Sequence, residues 1–158
     1  MIATNLIGIT GGFQGQRERV LDVITYCIDE MMPRHRTLDI EVKLWNCEKH
    51  ERALGQCLYH GNNIFEIDID NKQNLYDLIL TTCHEMVHVK QYSRKELTEQ
   101  YPQSFWHGKL YTDGRCYPWE LEAWDMQSKL AHKYIKEQTN YTIKVVKSLE
   151  KGPKECII

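Results

Sequence analysis

Five residues, His84-Glu85-Met86-Val87-His88, constrain this chain more than any other stretch. They lie inside a run from about Asn74 to Tyr92 whose apolar residues recur at helical spacing. On a helix, residues four apart are offset by only about 40°, so both imidazoles emerge from one face, a turn apart. That separation lets two ring nitrogens converge on one Zn²⁺ at about 2.0–2.1 Å. Glu85, one step on from His84, is poorly placed to ligate. It can instead lean over the open side of such an ion and take a proton from water. Any fold that uses the motif must bring a further ligand from elsewhere in the chain, because catalytic zinc usually takes three protein ligands.

The remaining composition narrows the alternatives. A chain of 158 residues suits one domain with a real core, spanning 1–158. Lys plus Arg (20) nearly balance Asp plus Glu (22), so no strong field draws nucleic acid or an anionic membrane. No apolar run nears the ~18 residues of a membrane span. Met1-Ile2-Ala3-Thr4-Asn5 lacks the basic and apolar regions of a secretory signal, and a cytoplasmic location is expected. Cys27, Cys47, Cys57, Cys83, Cys116 and Cys156 form no Cys-x-x-Cys pair, which argues against a Cys-based zinc finger. In such a compartment they should stay reduced, with Cys83 a lone buried thiol.

Along the chain, Ala3 to Thr10 reads as a strand and Gly11-Gly12-Phe13-Gln14-Gly15 as a flexible turn that lacks the spacing of a nucleotide loop. Gln16 to Met32 has helical spacing and is closed by Pro33. Leu38 to Trp45 alternates as a half-buried strand, and Trp45 to Gly55 is loop-like. Gln56–His60 and Ile64–Asp70 form strands joined by Gly61-Asn62-Asn63, with the acidic Ile64–Asp70 strand expected at the sheet edge. The motif helix then runs from about Asn71 to Ser93. Lys95 to Gln103 reads as a loop, and Ser104 to Tyr117 as a hairpin turned at Thr112-Asp113-Gly114. Pro118 opens a second helix to about Gln138, because proline suits the first helical position. The Lys-bearing tail 139–158 is expected to be loosely packed.

Three downstream residues are candidates for the third ligand: Glu120, Glu122 and His107. If the two helices pack side by side, a glutamate near the start of the second can point at the metal. Glu120 shares a face with Ala123, whose small side chain permits close approach, whereas Glu122 projects roughly 200° away. Glu120 is favoured. His60, before a turn, reads as a surface histidine.

The blocks His84-Glu85-Met86-Val87-His88-Val89-Lys90-Gln91-Tyr92, Trp106-x-Gly108-Lys109-x-Tyr111 and Pro118-Trp119-Glu120-x-Glu122-Ala123 together resemble small metallopeptidase-like proteins encoded by tailed phages. These belong to the broad zincin class with a glutamate third ligand. The resemblance spans about Asp77 to Gln127 and implies that Glu120, in a Glu-x-x-Ala pattern, binds the metal. Trp124 stands where that pattern often carries Asp or Asn. His107-Gly108 is similar to the His-Gly of SprT-like proteases, although the residues after it read as strand and turn.

The expectation is therefore a compact α+β, zincin-like domain. A covering helix lies on a small, mainly antiparallel sheet, beside the motif helix and a ligand-bearing C-terminal helix. His84, His88 and Glu120 would hold Zn²⁺, Glu85 would act as general base, and a peptide would be the substrate, adding to the Ile64–Asp70 edge. Tyr111 and Tyr117 are expected as packed aromatics, with donation to the oxyanion as the alternative role of either. Two other readings share the residues: a catalytically silent, zinc-stabilised adaptor of phage origin, and an SprT-like protease acting on DNA-associated proteins.

Overall fold

The first elements form a strand–helix–strand unit: β1 (Leu6–Gly11), α1 (Gln14–Met31) and β2 (Asp39–Trp45). A computed structural model describes residues 4–50, 53–112, 114, 115 and 117–150. In α1 the helical stripe Val20, Ile24, Cys27, Ile28 and Met31 is buried against the sheet and the motif helix. Positive φ at Gly11 and Gly12 makes the tight entry to α1 (79° and 55°), and a Cβ on Gly11 would sit 2.0 Å from the Leu44 carbonyl oxygen.

β3 (Gly55–Tyr59) and β4 (Ile64–Asp70) complete a sheet of order β1-β2-β4-β3. Asn62 and Asn63 turn the hairpin between them with φ of 52° and 59°, a conformation that short polar side chains tolerate. β1, β2 and β4 run parallel, and only β3 is antiparallel. This sheet is thus mixed rather than mainly antiparallel. Ile40, Val42 and Leu44 of β2 and Phe65, Ile67 and Ile69 of β4 point into the core. Their alternation with charged residues reports a sheet with one face covered; it carries no information on strand direction. The expected edge also moves. β4 lies between β2 and β3, so β3 is the free edge beside the motif helix.

α2 (Leu75–Ser93) carries the motif and packs against α1, β3, β4 and α3. Asn74 caps it, its side chain accepting the Asp77 N–H at 2.8 Å. Cys83 is buried as expected but is not alone: its Sγ lies 3.9 Å from the equally buried Cys27 Sγ, and both thiols are free. The stretch expected as a loop holds β5 (Leu97–Gln100), which pairs with β6 (Gln103–Trp106). β6 in turn pairs with β7 (Lys109–Leu110). This second, antiparallel sheet turns at His107-Gly108, where φ is 49° and 78°. The turn expected at Thr112-Asp113-Gly114 includes Asp113, which lies outside the described residues.

α3 (Pro118–Glu150) continues well past residue 138, so the expected loose tail is helical as far as Glu150; residues 151–158 lie outside the described residues. Ala123, Leu130, Ala131 and Tyr134 join the same core as α1, α2 and the sheet. The result is an α+β domain with the helices on one face of the four-stranded sheet. No helix among the described residues is long and apolar enough to cross a membrane.

Candidate metal centre

The i, i+4 spacing on α2 places the two motif imidazoles together, their Nε2 atoms 3.2 Å apart. Pro118 starts α3 so that Glu120 falls in its first turn, where the helix dipole favours a carboxylate. Ala123, fully buried one turn on, lets α3 lie close to α2. Glu120 then reaches both rings, with Oε2 3.2 Å from His84 Nε2 and Oε1 3.3 Å from His88 Nε2. Two ligands of a tetrahedral ion at about 2.0–2.1 Å are about 3.3–3.4 Å apart, so these spacings, with a different Glu120 oxygen toward each ring, suit the sharing of one small cation.

The donor chemistry points the same way. His84 Nδ1 lies 2.8 Å from Gln127 Oε1, and His88 Nδ1 lies 2.9 Å from Gln91 Oε1. A carboxamide oxygen only accepts, so each Nδ1 donates and, in the neutral ring, each Nε2 presents a bare lone pair. In that neutral form two lone pairs and a carboxylate converge, the donor set a cation needs. His84, His88 and Glu120 together could hold a metal ion. Gln91 is itself fixed, its Nε2 donating to the Trp119 carbonyl at 2.9 Å and to Glu122 Oε1 at 3.2 Å. Orienting partners of this kind set the tautomer and aim of a ligating histidine.

The other candidate ligands go elsewhere. Glu122 accepts from the buried Lys90 Nζ at 2.6 Å, and Glu96 flanks the same ammonium at 3.0 Å. His107 sits in the β6–β7 turn with its ring against Trp106, centroids 4.4 Å apart. His60 pairs with Glu66 at 3.1 Å on the surface. Tyr111 and Tyr117 pack with each other and with Trp119.

Electrostatics follow from burial and the converging acceptors. Without a metal, protonated His84 and His88 donate from Nε2 to Glu120 and hold its carboxyl well below the usual carboxylate range. Burial opposes charge on His88, but the Glu120 hydrogen bond and the Glu85 charge outweigh it and raise its pKa. Glu85 is 4% exposed, and burial pushes its carboxyl from 4.5 to about 7, against the pull of both histidines. A carboxyl raised on folding contributes stability below its unfolded pKa and loses it as pH climbs through the folded one. Metal-free protein should therefore melt at a lower temperature at pH 7 than at pH 5. In Glu85→Gln that drop should shrink, which paired melts in chelator will check.

Gly55, at the start of β3, was legible only as the end of a loop. A Cβ there would lie 2.5 Å from Glu85 Oε1 and 2.6 Å from Thr81 Cγ2, so the absent side chain makes the space the carboxylate occupies. Two neighbouring cavities, of about 330 and 390 Å³, are both lined by Gly55, His84, Glu85 and Trp124, and the larger also holds His88 and Glu120. No family model matches the chain, nor does any curated protein or solved structure.

Proposed function

We propose that this protein is a zinc-dependent peptidase in which His84, His88 and Glu120 hold the metal and Glu85 is the general base. The observation that carries this reading is the placement of Glu85, a buried carboxylate beside three converging ligand atoms, where two cavities meet. A purely structural site has no use for a buried acid of raised pKa at its open side. A divalent ion held there supplies Lewis acidity, polarising a peptide carbonyl and acidifying water. Glu85 takes the proton from the attacking water and passes it to the leaving amine. An extended peptide lies along the open edge of β3, the strand beside Glu85, through main-chain hydrogen bonds.

The test is incubation of zinc-loaded protein with unfolded protein substrates, with new amino termini read by mass spectrometry. Cleavage that disappears on chelation and returns with zinc supports the reading. A protein that binds one zinc, melts on chelation and cuts nothing is the silent adaptor instead.

Gly55→Ala tests the positioning of the base. The added methyl must push the Glu85 carboxylate aside, and misplacement by about 1 Å costs on the order of 10²-fold. Zinc content should be unchanged and kcat should fall by roughly that factor, with a smaller change in KM. An unaltered kcat would show that Glu85 needs no such clearance.

A further inference from the structure

The cavity of about 330 Å³ has a chemical character that the metal centre does not explain. Asp77, Leu80, Thr81 and His84 form one stripe of α2, because residues three, four and seven apart share a helix face. Across from them stand Leu54, before β3, and Trp124 of α3. Trp124 is 58% exposed, so a large aromatic surface faces the opening without being used in the core. Leu54, Leu80 and Trp124 give the walls their apolar part, His84, Glu85 and Gln127 stand at the end next to the centre, and the far end carries the Asp77 carboxylate. Asp77 and Glu85 are the acidic side chains of this cavity, and among the described residues no Lys or Arg lines it.

We propose that this cavity accepts a basic side chain, lysine or arginine, of a peptide residue next to the hydrolysed bond. The inference rests on the peptidase reading for its substrate, though the binding it describes can be measured without turnover. Asp77 lies about 10 Å along the helix from His84, counted as seven residues of rise. A short side chain whose backbone lies near the metal falls well short of that distance; the stem of lysine or arginine plus the ~4 Å of an ion-pair contact covers it. The stem packs on Leu80 and the Thr81 methyl, and the cation meets the Trp124 face and the Asp77 carboxylate. An anion is disfavoured even though this is the N-terminal end of α2. Asn74 already takes the Asp77 N–H, through its side chain, and the Leu78 N–H, through its carbonyl, so these amides are not turned to a ligand.

The experiment uses the zinc-loaded Glu85→Gln protein and blocked octapeptides identical except for one Lys, Leu or Glu. That residue is moved through the four central positions, and affinity is measured by calorimetry. At one position Lys should bind about tenfold tighter than Leu, with Glu weakest, as one screened ion pair plus one cation–π contact allow. Asp77→Asn should cut the Lys:Leu ratio to about threefold, the share left to the Trp124 contact, and Asp77→Lys should reverse the order of Lys and Glu. A ratio at or below one at every position, or one that Asp77→Asn leaves unchanged, overturns the proposal. With wild-type protein the same ratio should appear in kcat/KM. If wild type cleaves none of the peptides while Glu85→Gln still discriminates, the peptidase reading fails and the basic-residue pocket stands. If wild type cleaves them without preferring Lys, the pocket fails and the peptidase reading stands.

Discussion

Glu85→Gln is expected to leave zinc at about one per chain and to lower peptide hydrolysis by about 10²–10⁴-fold, the range a positioned general base supplies. Glutamine keeps the shape of the side chain that fits against Gly55, so the cavity and the three ligand atoms keep their places. What it loses is the ability to accept a proton. KM should therefore move little while kcat collapses, the signature of an interaction made only in the transition state. Metal-free Glu85→Gln should also be the more stable protein at pH 7, since it no longer buries an ionising carboxyl. Hydrolysis at the wild-type rate would remove Glu85 from the mechanism.

His84→Ala should have the larger effect on metal and a comparable one on activity. With His84 gone, Glu120 and His88 are left as two ligands, too few for a catalytic zinc, and Gln127 loses the ring it orients. Zinc content should fall from about one per chain to near zero after gel filtration, with hydrolysis lost in parallel. Stability gives an independent readout. At a free metal concentration 100 times Kd, binding adds about 2.7 kcal/mol to the folded state. For a chain of this size that corresponds to roughly 5–10 °C in Tm. Wild-type protein should lose that increment on chelation, whereas His84→Ala should show no chelator-dependent shift. Zinc retained at one per chain in His84→Ala would place the metal elsewhere.

What the amino-acid order settled by itself is local. The spacing of His84 and His88 dictates a shared helix face whatever surrounds it, and Pro118 with an acidic first turn dictates where α3 starts. The favoured third ligand was legible for a related reason: Glu120 and Ala123 share a face, and a buried alanine is where a second helix can come close. Strand alternation showed which residues of β2 and β4 face inward, but strand direction depends on chain paths between elements and has no local signature. The β5 strand was missed because its four residues are mostly polar and acquire strand form by pairing with β6.

Only the tertiary structure decided how the ligands are aimed. Gln91 lies three residues after His88 and Gln127 seven after Glu120, spacings present in the sequence. Nothing local says that one orients His88 and the other crosses to His84, since both contacts require α2 and α3 at a particular distance. The same packing sends Glu122 to Lys90 and opens the Asp77–Trp124 cavity. Gly55 makes the point most directly: a glycine at the end of a polar stretch acquires meaning only when β3 is laid against the Glu85 carboxylate, thirty residues away in the chain. Periodicity is a property of neighbours along the backbone, and convergence at a site is a property of which faces meet across the core.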